Sequence, residues 1–398
     1  MKKITILLIA LLTLINVINA QWTAVNTGLP NSGTNTDVES FAAISTNLFA
    51  ATSTGVYLTN NSGVSWAGVN SGITNTDIEA LEAIGTNLFA ATGNGIFKSA
   101  DNGTSWTAFS TGLNTSMGTS VYALYAMGNN LFAGTEAGIS LSVSPYTSWT
   151  AANTGLPTSD VYAFVQKGQD LYAAVTLSGI DKTSNNGTSW TNVNTGLPSP
   201  YNSDFESLAV INQNIFAGDL GTGVYTSSNN GTNWTAVNTG LSNLHVHALA
   251  VSGTNLFAGT DGGVFVTANY GASWTAVNTG LTCLNVQSLK VFGTNLYAGT
   301  RDGVFKAALN AIIGINDLQN KNMQVNIFPN PCNDVLQISG NEFKWAQVEI
   351  YNAMGVWVLK TEITGSTNVI DISNLSQGIY VIKLNGVNWT AQEKLIKE

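Results

Sequence analysis

The chain is poor in charge. Of its 398 residues only 9% are Asp, Glu, Lys or Arg, against roughly 25% in ordinary globular chains. What charge there is leans acidic, to a net of −9 at pH 7. Nucleic acid and anionic lipid both call for a basic face, so neither is expected as a partner. Arginine is almost missing, with Arg301 standing alone, which excludes any site built on clustered guanidinium groups. Cysteine is nearly as scarce. Cys283 and Cys332 fall in segments read below as separate domains, so two isolated thiols are expected rather than a disulfide. Beyond residue 20 no stretch approaches the 18 or so apolar residues of a membrane-spanning helix, and none is expected in the mature chain. The 3.6-residue periodicity of amphipathic helices is absent as well.

One apolar run does exist, at the start. Met1-Lys2-Lys3 supplies positive charge, Ile4 to Val17 is apolar for fourteen residues, and Ile18-Asn19-Ala20 ends on a small residue. This pattern predicts a secretory signal peptide over residues 1–20, its apolar part too short to span a bilayer. No cysteine follows the cut, so no lipid anchor is expected there.

Repeats account for most of the remainder. NLFAAT at 47–52 returns as NLFAAT at 87, NLFAGT at 130, DLYAAV at 170, NIFAGD at 214, NLFAGT at 255 and NLYAGT at 295, at spacings of 40 to 44 residues. A tryptophan also recurs seven times, as Trp22, Trp66, Trp106, Trp149, Trp190, Trp234 and Trp274. The first tryptophan precedes every NLFAGT-like stretch and none follows the last one. In the sixth unit four apolar-alternating runs are separated by turn residues: VHALAV (246–251), NLFAGT (255–260), VFVTA (264–268) and SWTAVN (273–278). Four strands in a period of about 40–50 residues predict a propeller blade. The final unit lacks its fourth strand and the orphan at Trp22 supplies one. The fold expected is therefore all-β, a seven-bladed propeller over 21–309 closed by the N-terminal strand. Solenoids of similar period are built from helices, and an open solenoid has no use for such a seam.

The turn before each fourth strand is readable too. SADNGTSW (99–106) places Ser99, Asp101, Gly103 and Trp106 in the pattern Ser-x-Asp-x-Gly-x-x-Trp. Asp101 can accept turn amides, Gly103 permits positive φ, and Trp106 is expected to pack beside the next blade. Asn61, Asn185, Asn229 and Asn269 stand where Asp101 does, each followed two residues later by glycine (Gly63, Gly187, Gly231, Gly271). SVSPYTSW (142–149) breaks the pattern, with Ser144 and Tyr146 at the Asx and Gly places, so its hairpin is expected to differ. Residues 21–309 thus resemble the Asp-box, or BNR, propellers of sialidases, sortilin-type receptors, xyloglucan-cleaving glucanases and the photosystem II stability factor family. The resemblance implies a structural turn on the rim away from the active face. Sialidase activity itself is excluded, because a single arginine cannot form the cluster that grips a sugar carboxylate.

A second signature fills the C-terminus. VNIFPNPCNDVLQIS (325–339), VEIYNAMGVWVLKT (348–361), NVIDISNLSQGIYVIKL (368–384) and EKLIKE (393–398) resemble the C-terminal sorting domain of type IX secretion. The matching positions are Pro329, Asn330, Pro331, Gly355, Leu375, Gly378, Ile379, Tyr380 and Lys394. The resemblance implies a small antiparallel β-sandwich over 325–398, recognised by the outer-membrane translocon and commonly removed on export. Cys332 reads as a small buried residue, and 310–324 as a linker.

Function is least legible. The entries to the innermost strands read DVESF, DIEAL, SVYAL, DVYAF, DFESL, HVHAL and NVQSL, beginning at 37, 77, 120, 160, 204, 245 and 285. Their third positions, Glu39, Glu79, Tyr122, Tyr162, Glu206, His247 and Gln287, would ring the mouth of a central channel. A wet channel merely tolerates polar residues, whereas carboxylates, phenols and an imidazole together suit sugar hydroxyls or a cation. His245 and His247 alternate on one strand, with no Cys or acidic cluster expected around them, so no metal is expected. GTDGG (259–263) lacks the lysine and helix of a phosphate loop, and no cofactor is expected. The reading is a secreted or cell-surface binding module, monomeric, with the type IX translocon as one partner and a glycan or surface protein as ligand. The alternative is a polysaccharide-active enzyme using mouth carboxylates such as Glu39 and Glu79.

Overall fold

In blade 1 the strands Val38–Ile44, Asn47–Thr52, Gly55–Thr59 and Ala67–Gly68 follow one another as an antiparallel meander. Five more blades repeat this order from the channel outward. The seventh is assembled from both ends of the domain, Val286–Phe292, Asn295–Thr300 and Gly303–Ala308 being completed by Trp22–Ala24. The computed structural model describes residues 21–30, 36–114, 120–199, 204–313, 325–340, 346–352, 357–365, 367–386 and 390–398. The expected signal peptide and Gly355 lie outside them. The chain divides after Ile312 into two compact units. Among the described residues no helix is long and apolar enough to cross a membrane.

The second strand of each blade holds the core. Phe49, Leu88 and Phe97 are buried with Trp106 in one cluster that spans blades 1 and 2. Each such side chain contributes roughly 1.5–3 kcal/mol when removed from water, and the clusters repeat around the ring. The tryptophans tie the blades together in a fixed direction. Trp106 Nε1 donates to Val69 O at 2.7 Å and Trp274 Nε1 to Val237 O at 2.7 Å, each carbonyl belonging to the preceding blade rather than the next. The seam repeats this bond, with Trp22 Nε1 on Val277 O at 2.5 Å and Trp66 Nε1 on Val25 O at 2.7 Å. The Thr-Gly-Leu turns permit the contact. Gly240 has φ +84°, and a Cβ there would lie 2.4 Å from Trp274 O.

The Asp-box turns bond to themselves. Asp101 accepts Ser99 Oγ at 2.8 Å, Ser105 N at 2.9 Å and Ser105 Oγ at 2.6 Å. These bonds, those of Ser105 foremost, pull its carboxyl down to about 2. Asn269 does the same with its amide, taking Thr267 Oγ1 at 2.8 Å and Ser273 N at 3.0 Å. In blade 3 the hairpin does differ. Tyr146 takes the glycine place at φ 59° and lays its buried ring edge-on to Phe89 at 5.5 Å.

Outer strands are shorter than the alternation predicts. In blade 6 only Thr275 and Ala276 pair with the third strand. Beyond Val277 the Asn278 side chain takes over and accepts Val264 N at 2.7 Å.

The second unit is a β-sandwich. A three-stranded sheet (Val325–Phe328, Val335–Gly340, Thr367–Asp371) and a four-stranded sheet (Trp357–Ile363, Ala346–Asn352, Gly378–Gly386, Thr390–Lys397) share a core of Leu336, Ile338, Ile350, Ile382 and Leu395. Asn330 clamps the final strand, accepting Ile396 N at 2.9 Å and donating to Lys394 O at 2.6 Å. Tyr380 caps Ser376 O at 2.7 Å, Leu375 packs on the core, and Cys332 is buried. Within the segment expected as a linker, residues 310–312 continue a short helix, Leu309–Ile312, belonging to the first unit.

Candidate functional site: the channel mouth

Every innermost strand begins with the same irregularity. In blade 1 Val38 pairs with Thr52 and Ser40 with Ala51, which leaves Glu39 without a partner across the ladder. The same shift falls at Glu79, Tyr122, Tyr162, Glu206, His247 and Gln287. A β-bulge bends its strand and re-aims the extra side chain. All seven extra side chains line one central cavity of about 280 Å³. Small residues stand directly after them, among them Ser40, Ala80, Ala163 and Ser288. Tyr125 and Lys290 line the wall farther along the same strands.

Neighbouring innermost strands belong to different sheets, so side chains bridge them. Ser40 Oγ accepts Leu81 N at 3.2 Å, Ser288 Oγ donates to Val38 O at 2.5 Å, and Tyr125 Oη accepts Gln166 N at 3.0 Å. These bonds hold the mouth residues at fixed spacing around the ring.

The two sides of the mouth differ in electrostatics. On blades 5 and 6 the carboxylates have imidazole partners. His247 sits between Glu206 Oε2 (3.1 Å from Nδ1) and Asp261 Oδ1 (3.0 Å from Nε2), and His245 Nδ1 lies 3.0 Å from Asp261 Oδ2. Burial alone would lower the His247 pKa, but the bonds to Glu206 and Asp261 outweigh it and the net shift is upward. Asn285 donates to Asp261 and accepts from Gln287, which carries the network into blade 7. The sequence reading left the two histidines without acidic neighbours, and the structure overturns that. Asp261 sits in the turn after the second strand, which the meander folds back beside the strand entry, while Glu206 arrives from the preceding blade. Among the described residues no group of three or more His, Cys, Asp or Glu side chains is placed to hold a metal ion.

On blades 1 to 4 the acidic side chains lie beside one another. Burial, with Asp37 and Glu79 beside it, pushes Glu39 up to about 7. Burial and then Asp77 raise Glu79 as well. Tyr122 and Tyr162 form a tilted pair with ring centroids 5.0 Å apart, and Tyr162 Oη donates to Asp160 Oδ2 at 3.2 Å. Deeper in the channel burial pushes Glu82 up to about 7, opposed by Lys290. Glu82, Lys290 and Asp261 escaped the sequence reading. The first two could have been found by aligning the sixth residue of each entry as well as the third.

Two comparisons place these units among known proteins. Residues 326–398 match the family described as the secretion system C-terminal sorting domain. The chain is a type IX secretion cargo, directed to the cell surface or the medium. Its solved structural neighbours are propellers, as the fold demands. A YCF48 structure with a bound D1 peptide has a TM-score of 0.58 at 14% identity, over 72% of this chain and 97% of that one. PorZ of Porphyromonas gingivalis, an essential surface component of the type IX secretion system, has a TM-score of 0.54 at 16% identity, over 91% of this chain and 59% of PorZ. A GH74 xyloglucanase from Xanthomonas campestris has a TM-score of 0.57 at 14% identity, over 81% of this chain and 60% of the enzyme. At these identities the likeness is one of fold. No curated protein matches the chain.

Proposed function

We propose that the exported propeller is a binding module whose ligand enters the channel mouth on the face away from the Asp-box turns. The observation that carries this reading is the convergence of seven bulged side chains on one cavity. Bulges interrupt pairing and cost ladder bonds, and they recur where a fold re-aims side chains for use. A concave site with a few convergent polar groups and aromatic faces is the usual form of a ligand pocket. The Asp-box turns, by contrast, spend their polar atoms on their own backbone. Among its relatives in fold a YCF48 carries a peptide and a GH74 enzyme is a xyloglucanase, so peptide and glycan are both candidate ligands. The test is an array of peptides and glycans followed by Tyr122→Ala with Tyr162→Ala. Weakened binding by a folded variant supports the mouth, and unchanged affinity removes it.

A polysaccharide hydrolase is the second reading, favoured by Glu39 at about 7 beside Glu79 and Glu206. A carboxyl with a raised pKa paired with a second carboxyl is the arrangement a glycosidase uses. The cavity, however, at about 280 Å³, is at the small end of ligand pockets, which run roughly 300–1,000 Å³. A hydrolysis screen with Glu39→Gln as control decides this reading. Turnover that Glu39→Gln abolishes would establish it.

A further inference from the structure

We infer that the mouth is selective for organic cations, seating one alkylammonium group against the Tyr122–Tyr162 pair with Glu39 and Glu79 as its counter-charges. The inference rests on the mouth being a ligand site and names the class of ligand.

Three observations converge on it. The first is an asymmetry of charge. Glu206 and Asp261 are answered by His247, whereas Asp37, Glu39, Asp77 and Glu79 have no ion pair among the described residues. Asp37 Oδ1 and, nearer the tyrosines, Glu136 Oε1 are buried oxygens with no hydrogen-bond donor among the described residues. Buried oxygens of this kind are costly when left unmet, and a cation arriving beside them removes that cost. The second is the aromatic pair. Tyr122 and Tyr162 hold their ring centroids 5.0 Å apart among Asp160, Glu136 and Glu79. Aromatic faces attract ammonium groups, and more strongly when the site is partly desolvated. The third is size. About 280 Å³ accepts a single slender side chain or a small polyamine and not a folded domain.

The alternatives fit less well. A bare divalent ion would need three convergent ligands, and none of the described residues supply them. An anion would meet like charge, with Arg301 exposed on the adjoining turn and Lys290 deeper in the channel as the nearby cations. A neutral sugar could stack on the tyrosines but would leave the acidic side uncompensated. An ammonium group could come from a lysine side chain of a polypeptide or from a free polyamine, and the chemistry recognised is the same.

Because a cation stabilises the ionised form of Glu39, binding near pH 7 must release protons. The experiment is calorimetric titration of the purified protein with the tripeptide Ac-Gly-Lys-Gly-NH2, its Nε-acetyllysine counterpart, spermidine and cellotetraose. Each titration is run in two buffers of different ionisation enthalpy. The expected result is saturable binding of the lysine peptide, spermidine or both, weakened by salt, with a buffer-dependent enthalpy reporting proton release. Glu39→Gln with Glu79→Gln is expected to weaken that binding by about tenfold or more, the size of a lost charge-assisted contact, and to abolish the proton release. Binding of the peptide alone identifies a polypeptide source, and of spermidine alone a polyamine source. If the acetylated peptide binds as well as the charged one, or neither cation binds, the inference is overturned. Cellotetraose binding that depends on Tyr122 and Tyr162 would then leave the mouth as a ligand site while removing its charge preference. Insensitivity of every probe to those tyrosines removes both.

Discussion

Asn26 accepts the backbone amide of Val304 at 2.7 Å, across 278 positions of sequence. Asn70, Asn153, Asn194, Asn238 and Asn278 do the same from the outer strand of their own blades, so Asn26 is the local capping residue of a blade whose strands lie at opposite ends of the domain. Deleting residues 21–26 strips this bond, the three pairs from Trp22 to Ala24 and the buried Trp22 ring. A large loss of stability is expected, since truncation of one buried tryptophan alone costs roughly 3–5 kcal/mol. Thermal unfolding of intact and shortened propellers checks this, and equal midpoints would contradict closure at the seam.

The two faces of the ring are expected to respond oppositely to mutation. Asn229→Ala with Asn269→Ala removes bonds that shape the Asp-box turns, each worth roughly 0.5–1.5 kcal/mol. The thermal midpoint falls and affinity in the folded fraction is kept. Tyr122→Ala with Tyr162→Ala lowers affinity and leaves the midpoint nearly in place. If the asparagine pair abolishes binding in a folded protein while the tyrosine pair is silent, the ligand sits on the other face.

Acidity separates the channel carboxyls from the rim. Glu39 and Glu82 have folded pKa values of about 7, above an ordinary 4.5. Folding therefore favours their protonated forms. Their stabilisation is complete below about pH 4.5 and is lost as pH rises through about 7. Asp101 runs the other way, at about 2 against 3.8, and its contribution disappears only as pH falls through that range. The midpoint of Glu39→Gln or Glu82→Gln, measured against the parent, is expected to climb between pH 4.5 and 8 and then level off. A difference that stays flat over that interval contradicts the assignment.

Export depends on the second unit. In a host with type IX secretion, removing residues 316–398 is expected to leave a folded propeller in the periplasm. Fractionation with an antibody against the propeller reports the outcome. Truncated protein at the surface or in the medium would show that the sorting domain is dispensable.

What the sequence made legible was periodic. The NLFAGT strands, the recurrent tryptophans and the Asx-x-Gly turns each obey local rules, and counting them fixes the number of blades and the position of the seam. Trp22 was readable as an orphan because its neighbours match those of Trp234 and Trp274. Contacts that join distant segments through geometry were not legible. Asp261 reaches His247 because the second strand returns beside the entry of the first, and nothing in the spacing of 14 residues announces it. The bulge at Glu39 and its six counterparts leaves no mark in composition. Tyr146 filling a glycine position was foreseeable as a departure, but its packing on Phe89 depends on the facing blade.

The bulged positions also bear on how such a protein can change. A residue outside the ladder register can be exchanged without altering which strands pair, and its neighbours on either side, such as Val38 and Ser40, keep their partners. Seven positions of this kind surround one opening and already hold four different chemistries: carboxylate, phenol, imidazole and carboxamide. Their tolerance is separate from that of the tryptophan belt, where substitution breaks a bond between blades. New ligand preferences can thus accumulate one codon at a time at the mouth while the framework drifts little. A library randomised at these seven sites, displayed on an otherwise fixed chain, would exploit the same division of labour.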